Sequence, residues 1–220
     1  MEANRELVDR IVALEWDMFV SVNEGEEKAS CQEDFHTFKN MRDAQFLAWS
    51  ETAARSYLSD LETARGEGRN LIEAKYIHMM RTTEPSKYEA LLPRILRPAE
   101  SEELLAHEIS DMLLEQTRLL FEEFPYVAGQ GRPLYSMFDN YAVSIETYQL
   151  GELLTYSENT LTALKSHILE LQENNIALAR TILENTVAFY GYRSLETAEA
   201  ATAERAAKAS FQISFGCCSD

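Results

Sequence analysis

Apolar residues recur every three or four positions along most of the chain, which is the pattern that an amphipathic α-helix produces. The first stripe consists of Leu7, Ile11, Leu14, Met18 and Val22. Stripes with the same spacing follow in nearly every later segment. The pattern therefore predicts an all-α fold, a helical bundle.

Polar residues at the start of each stripe indicate where the helices begin. Ser30 with Glu33 forms a capping box, and Asn70 with Glu73 repeats the arrangement. Ser50 and Ser101 are expected to be the N-caps of two further helices, and the helical pattern resumes near Ser144.

Glycine and proline indicate where the helices end. Gly66 and Gly68 terminate one helix, and Pro125 stops another. Three prolines, Pro85, Pro93 and Pro98, mark a connector near the middle of the chain.

The stripe from Leu161 to Phe189 alternates steps of three and four, as in a heptad repeat, with Asn175 and Asn185 at core positions. We interpret it as one long helix. Two packing partners are open: other helices of the same chain, or a second copy in a dimeric coiled coil. The chain is accordingly expected to be a monomer or a homodimer.

The chain also resembles itself. Residues 45–51 (QFLAWSE) align with residues 152–158 (ELLTYSE), at an offset of 107 residues. We interpret the chain as a single globular domain over 1–220, with helical units at 4–83 and 102–190 related by a pseudo-twofold and a flexible tail at 211–220. A ligand site is expected between the units, as in many helical bundles.

Composition narrows the classes of partner. The net charge is −17, from 20 Lys and Arg against 37 Asp and Glu. This charge disfavours nucleic acid and anionic membrane surfaces as partners. The first ten residues include three acids and no apolar core of a signal peptide, and no uninterrupted apolar run of about 18 residues occurs. Three cysteines are too few for a disulfide framework, so a reducing cytoplasm is expected.

Several polar residues occupy positions where the spacing predicts core. Arg42 and Gln45 flank Met41 and Phe46, and Glu15 follows Leu14. Further along, Glu146 and Glu152 are six residues apart. Two interpretations are open: Arg42 pairs with one of these glutamates as a structural ion pair, or these residues line a polar pocket in which Arg42 binds an anion.

Metal and thiol chemistry has weaker support. Glu33 and His36 have the Glu-x-x-His spacing of di-iron bundles, but only one such pair occurs, so no metal site is predicted and their role stays open. Cys31 is expected at a helix N-terminus, where the dipole lowers a thiol pKa, although a role as a small buried residue in the first turn is favoured over a reactive thiol. The roles of Cys217 and Cys218 are undetermined.

Taken together, several short motifs resemble those of an uncharacterised bacterial family, found mainly in anaerobes and known only as a domain of unknown function. The motifs are Glu15-Trp16, residues 29–32, Met41-Arg42 with Gln45-Phe46, residues 68–71, Lys75-Tyr76 with Met79-Met80, residues 129–132, and 146–148 with 151–153. The resemblance covers most of residues 7–185. It implies an all-helical fold and a pocket, and no reaction. The family pattern has an arginine before Gly151, where this chain has Gln149-Leu150, and it requires no histidine at position 36.

We therefore expect a small molecule or metabolite to bind in a polar pocket between the halves. The binding residues would be Trp16, Arg42, Gln45, Tyr76, Glu146, Tyr148 and Glu152. Catalysis is undecided; its candidates are Glu15, Cys31 and Glu152, and no cofactor is indicated. The alternative is a protein–protein interaction module that acts as an accessory subunit of another enzyme, an acidic helical protein that docks through its heptad stripe or its tail. The resemblance adds that some relatives carry a nucleotidyltransferase-like domain, which does not occur in this sequence.

Overall fold

The computed structural model describes residues 2–22 and 30–216. Within these ranges the backbone forms eleven α-helices and no strand, which confirms the all-α prediction. The helices are α1 (Glu2–Val20), α2 (Phe35–Phe46), α3 (Glu51–Gly66), α4 (Leu71–Thr83), α5 (Pro85–Leu91), α6 (Glu100–Glu123), α7 (Pro125–Ala128), α8 (Ile145–Leu153), α9 (Glu158–Glu173), α10 (Leu178–Phe189) and α11 (Leu195–Gly216). Short 3-10 turns span Ser30–Glu33, Leu92–Arg94 and Ser136–Phe138.

Three of the predicted helix starts are confirmed. The side chains of Ser50, Asn70 and Ser144 each accept a hydrogen bond from the backbone N–H three residues later. Each cap satisfies one of the N–H groups that have no partner inside the helix.

Two predicted starts are wrong. Ser30 and Glu33 lie in a 3-10 turn, and α2 begins after Asp34, whose carboxylate accepts from the Thr37 N–H at 2.9 Å. Ser101 lies inside α6, which begins after Ala99, and there Glu102 accepts from the Ala99 backbone N–H at 2.7 Å. In both cases a carboxylate, and not the predicted serine side chain, bonds to a backbone N–H at the helix start.

The predicted long helix from Leu161 to Phe189 is two helices, α9 and α10. The chain turns at Asn175, which has a φ of 57°, and the Ile176 N–H bonds back to the Leu171 carbonyl at 2.8 Å. Asparagine tolerates this left-handed conformation better than most residues. Asn175 therefore ends a helix, whereas the heptad pattern placed it at a core position.

Helix ends recur at the 107-residue offset. α3 and α9 begin 107 residues apart, and so do α4 and α10. Gly68 has a φ of 70° where its counterpart Asn175 has 57°. The Arg69 N–H bonds to the Ala64 carbonyl at 2.7 Å, the counterpart of the bond from Ile176 to Leu171.

Most buried apolar side chains belong to one core, built by α1, α3, α4, α6, α8 and α9 with parts of α2 and α10. α3 packs against α9, α4 against α8, and α2 against α10, so helices from the first part of the chain meet helices from the second. Four aromatic rings pack against each other where these layers meet: Phe46, Trp49, Tyr57 and Tyr156. A smaller core under α7 and α11 contains Leu120, Phe124, Val187, Leu195 and Ala198.

None of the helices in the described ranges combines the length and apolar character needed to cross a bilayer.

Candidate functional site

A buried guanidinium lies at the centre of the molecule. All five N–H groups of Arg42 have acceptors: its Nε and Nη2 bond to the two oxygens of Glu15 at 2.6 Å each. Nη2 also bonds to Glu152 at 2.9 Å, while Nη1 bonds to Gln45 at 3.0 Å and to Glu152 at 3.2 Å. No hydrogen-bonding capacity of this arginine is left for a ligand.

The two carboxylates around Arg42 are equally well supplied with donors. Glu15, which has no exposed surface, also accepts from the Tyr57 hydroxyl at 2.7 Å. Glu152 accepts from the Gln45 amide at 2.8 Å, from the Tyr156 hydroxyl at 2.6 Å and from the Lys75 ammonium. We call these seven residues the central ion network: Glu15, Arg42, Gln45, Tyr57, Lys75, Glu152 and Tyr156.

Five helices and one turn supply this network. Glu15 comes from α1, Arg42 and Gln45 from α2, Tyr57 from α3, Lys75 from α4, and Glu152 from α8, with Tyr156 in the turn after α8. Each of these side chains emerges among apolar neighbours of the main core, so folding the core brings the charges together.

A close approach between α8 and α4 places Glu152 beside Lys75. A Cβ on Gly151 would lie 2.7 Å from the Met79 Cγ and 3.1 Å from the Lys75 carbonyl oxygen. Only glycine allows the backbones to come this near without a rearrangement.

The charges of the network balance, with two carboxylates against one guanidinium and one ammonium. Burial alone would raise the pKa of Glu152, but Arg42 and Lys75 outweigh it and hold that pKa well below its usual range. Burial and the adjacent carboxylates raise the pKa values of Tyr57 and Tyr156. The two tyrosines therefore stay protonated as donors, and Glu152 stays ionised as an acceptor. This arrangement is that of a complete buried salt network, in which removing one partner is costly.

The ammonium of Lys75 also lies over the Tyr148 ring, 3.4 Å from its centroid, and the guanidinium of Arg132 lies 4.6 Å from the same centroid. Tyr148 thus belongs to the surroundings of the network, as a half-buried ring in contact with two cations.

Three other residues predicted to bind a ligand lie outside the network. Glu146 accepts from the Ser136 backbone N–H at 2.7 Å. Trp16 packs in an aromatic cluster with Phe35 and Phe38. Tyr76 lines a small cavity on the outer side of α4.

The cysteines and the Glu-x-x-His pair give little further chemistry. The Cys31 backbone lies in a 3-10 turn, and its side chain, like Cys217 and Cys218, falls outside the described residues. His36 is exposed and lies within 3.3 Å of the Asn40 side-chain amide. Throughout residues 2–22 and 30–216, no three His, Cys, Asp or Glu side chains are grouped so that they could hold a metal ion.

A cavity of about 250 Å³ lies beside the network, between the two parts of the chain. One wall consists of the end of α3 and the start of α4, the opposite wall is the turn between α8 and α9, and the connector at residues 94–98 closes a third side. Tyr156 belongs to this lining as well as to the central ion network. We call this space the arginine cavity.

Three arginines line the arginine cavity: Arg69, Arg94 and Arg97. Arg69 pairs with Glu67, and Arg94 pairs with Glu73, at 2.5 Å each. Arg97 is exposed and forms no ion pair within 4.0 Å with any described residue.

Two of the three acidic residues of this lining, Asp60 and Glu102, have backbone partners, and the third, Glu73, pairs with Arg94. Asp60 accepts from the Ser157 N–H at 3.1 Å and from the Thr160 hydroxyl at 2.7 Å. Glu102 accepts from the N–H groups of Ala99 and Glu158. These bonds engage the carboxylates at the starts of α6 and α9, where negative charge is favoured.

Sequence reasoning missed Lys75, Tyr57 and Tyr156 in the network and Arg97 in the cavity. Lys75 had a usable signal, since it lies three residues after Ile72 and four before Met79, at a position where the helical spacing predicts an apolar residue. Tyr57 and Tyr156 fit the apolar stripes, so nothing in the pattern distinguished them from core residues. Arg97 stands in a connector without periodicity.

Comparison with known proteins gives a family. Residues 5–200 match the family described as "Protein of unknown function (DUF4125)". No curated protein and no solved structure matches the chain.

Proposed function

The chain belongs to this family of unknown function, and we propose that it binds a small anionic molecule in the arginine cavity. The supporting observation is Arg97, a guanidinium that has no carboxylate partner within 4.0 Å among the described residues, beside two further arginines in a concave space. The same lining carries three carboxylates, those of Asp60, Glu73 and Glu102, but each of these already accepts a hydrogen bond from the chain or forms an ion pair. Guanidinium groups bind carboxylates and phosphates in a bidentate manner, so both kinds of anion are suited to the cavity.

In this proposal the central ion network holds the cavity in place. Tyr156 lies in the cavity lining, and its hydroxyl donates to Glu152, which in turn is held by Arg42 and Lys75. The predicted binding residues Arg42, Gln45 and Glu152 then act behind the cavity as positioning residues, because their own hydrogen bonds are occupied by each other.

The proposal includes the two helical units, 4–83 and 102–190. The matching helix starts, the paired left-handed turns and the contacts between α3 and α9 support a pseudo-twofold duplication. Gln45 and Glu152 are counterparts at the 107-residue offset, and they bond to each other at 2.8 Å, as residues near such an axis would. The arginine cavity lies between the first unit and the second.

The test is binding of inorganic phosphate and of acetate by isothermal titration calorimetry, with the Arg97→Ala variant and the matched control Arg193→Ala. Arg193 is also exposed and also forms no ion pair within 4.0 Å among the described residues. We expect Arg97→Ala to weaken anion binding about tenfold, because the variant loses one charge-assisted hydrogen bond to the anion. We expect Arg193→Ala to bind as the wild type does. Equal weakening by both variants, or no binding of either anion by the wild type, would count against the proposal.

A second candidate, the protein–protein interaction module, is favoured by the loop before α8. Met137 is 73% exposed and Tyr141 is 90% exposed, an unusual pair of large apolar surfaces on one short segment. A complex isolated from the native cell that is lost with Tyr141→Ser, and retained with the exposed control Tyr190→Ser, would support it. Retention of the complex by both variants would reject this loop as the contact.

A further inference from the structure

A second, smaller cavity adjoins the arginine cavity. Its volume is about 130 Å³, and five of its eight lining residues are apolar or aromatic, namely Val22, Tyr76, Ile77, Met80 and Leu91. The other three are charged: Glu73, Lys87 and Arg94. We call it the apolar cavity. It lies between α4 and α5, on the far side of Glu73 and Arg94 from the arginine cavity.

The two cavities share two lining residues, Glu73 and Arg94. These form an ion pair at 2.5 Å, with side chains that are 33% and 58% exposed. An exposed ion pair of this kind contributes little to folding and rearranges easily. The pair therefore separates the two spaces without a packed wall between them.

The size of the apolar cavity limits what it can hold. An apolar cavity of about 150 Å³ in another protein binds benzene. A space of about 130 Å³ has room for one aromatic ring or a short branched alkyl group. Its apolar lining favours such a group over a polar one, because burying an unpartnered polar group costs free energy.

We propose that the ligand is an anion that carries one small apolar or aromatic group. This inference rests on the proposed function of the arginine cavity and adds the chemical class of the ligand. The anionic group lies among Arg69, Arg94 and Arg97, and the apolar group lies between α4 and α5 against Ile77, Met80 and Leu91. Arg94 borders both spaces, so it contacts the ligand at the junction of its two parts.

The experiment compares two phosphate monoesters that differ only in the group they carry, phenyl phosphate and methyl phosphate. Both are titrated calorimetrically into the full chain at one ionic strength. We expect phenyl phosphate to bind about tenfold more tightly than methyl phosphate, because the ring buries apolar surface that a methyl group lacks.

A filled apolar cavity should remove this preference. Leu91 is half-buried on the short helix α5, and Leu91→Trp places a larger side chain in the space. We expect the preference for phenyl phosphate to fall to about twofold or less while methyl phosphate binds as before. Leu169→Trp, at an exposed position of α9, is the matched control and should keep the preference. Leu91→Phe provides a milder change if the tryptophan variant has a lowered melting temperature.

The outcomes distinguish this inference from the proposed function. Equal binding of the two esters by the wild type, with loss in Arg97→Ala, overturns the inference and leaves the anion site intact. A preference that survives in both Leu91 variants also overturns it. Failure of the wild type to bind either ester overturns the anion site together with the inference.

Discussion

The helices at residues 35–83 and those at residues 145–189 have matching ends and different interiors. α3 and α4 start 107 residues before α9 and α10, and the turns between them share a left-handed residue. The side chains that these helices bury do not correspond in charge. The first set has Arg42, Tyr57 and Lys75. The residues 107 positions later in the second set are Gln149, Leu164 and Ile182.

The difference shows that backbone geometry and interior chemistry can be set independently. Turns and caps depend on a few local residues, such as Ser50 and Ser157, which cap α3 and α9 in the same way. The central ion network depends on distant partners, and only Glu152 and Tyr156 come from the second set of helices. Gln149, the counterpart of Arg42, bonds instead to the Ser110 carbonyl and hydroxyl.

The contact of α3 with the start of α9 and the contact of α9 with the turn after α2 also differ. At the first, Asp60 accepts from the Ser157 N–H and lines the arginine cavity. At the second, the counterpart His167 bonds through Nε2 to the Ala48 carbonyl at 2.9 Å. At the 107-residue offset, the first set of helices therefore has a carboxylate where the second has an imidazole, so the two contacts are suited to different partners.

The largest expected effect comes from removing the central arginine. Arg42→Met leaves Glu15 and Glu152 buried without their main cation, so the free energy of unfolding should fall by about 3–5 kcal/mol. The counterpart change, Gln149→Met, removes only neutral hydrogen bonds and should cost about 1 kcal/mol. Urea denaturation of both variants measures the contrast. Similar losses of stability in the two variants would mean that the charged network contributes no more than the neutral hydrogen bonds of Gln149. If Arg42→Met does not fold, Arg42→Lys, which keeps the charge, takes its place in the comparison.

A pH effect of intermediate size is expected at His78, whose counterpart is Asn185. His78 is buried, and its Nε2 has no hydrogen-bond partner within residues 2–22 and 30–216. Burial, followed by the charge of Arg81, lowers the pKa of His78 to about 4, against the opposing effect of Glu103. In the unfolded chain the pKa of histidine is about 6.5, so the unfolded state binds the extra proton between these values. Stability should therefore fall as the pH drops from about 6.5 to about 4, by about 3 kcal/mol in total.

The variant His78→Asn copies the residue of the other unit and should flatten this part of the profile. Urea denaturation at intervals between pH 4.5 and 6.5 measures the slope in a window above the range in which Glu152 loses its charge. The exposed control His107→Asn should keep the wild-type slope. A slope unchanged by His78→Asn would contradict the assignment.

A smaller effect is expected where Gly151 and its counterpart Ala44 are exchanged. In Gly151→Ala the new Cβ meets Met79 and the Lys75 carbonyl oxygen. This overpacking should lower the free energy of unfolding by about 1–3 kcal/mol, which exceeds the gain of about 1 kcal/mol from the higher helix propensity of alanine. Ala44→Gly loses helix propensity and a buried methyl group, at about 1 kcal/mol or somewhat more. Thermal denaturation should show both variants destabilised. A stabilised Gly151→Ala would mean that α8 and α4 can separate without loss.

Sequence reasoning recovered the local features and part of the site. Helical spacing predicted the fold class, and the caps at Ser50 and Asn70 could be read directly because they depend on neighbouring residues. Arg42 was identified as an ion-pair candidate since a charge at a core position requires a partner. Its partners could not be chosen among three glutamates, because that choice depends on how α1 and α8 pack. The arginine cavity was not predicted, since the residues that form it are dispersed along the chain in turns and a connector.

The smallest expected effect concerns the shared left-handed turn itself. Gly68 and Asn175 occupy it with φ values of 70° and 57°. Asn175→Gly should change the free energy of unfolding by less than about 0.5 kcal/mol, because glycine adopts this conformation freely but loses more chain entropy on folding. Asn175→Ala should cost about 1 kcal/mol, because the Cβ is strained there without the compensating polar side chain. Urea denaturation of the two variants, with Gly68→Ala and Gly68→Asn alongside, tests whether the two turns obey one rule. If alanine were tolerated at 175 and not at 68, the turns would share a shape but not the constraint that produces it, and the matching helix ends would support a duplication less strongly.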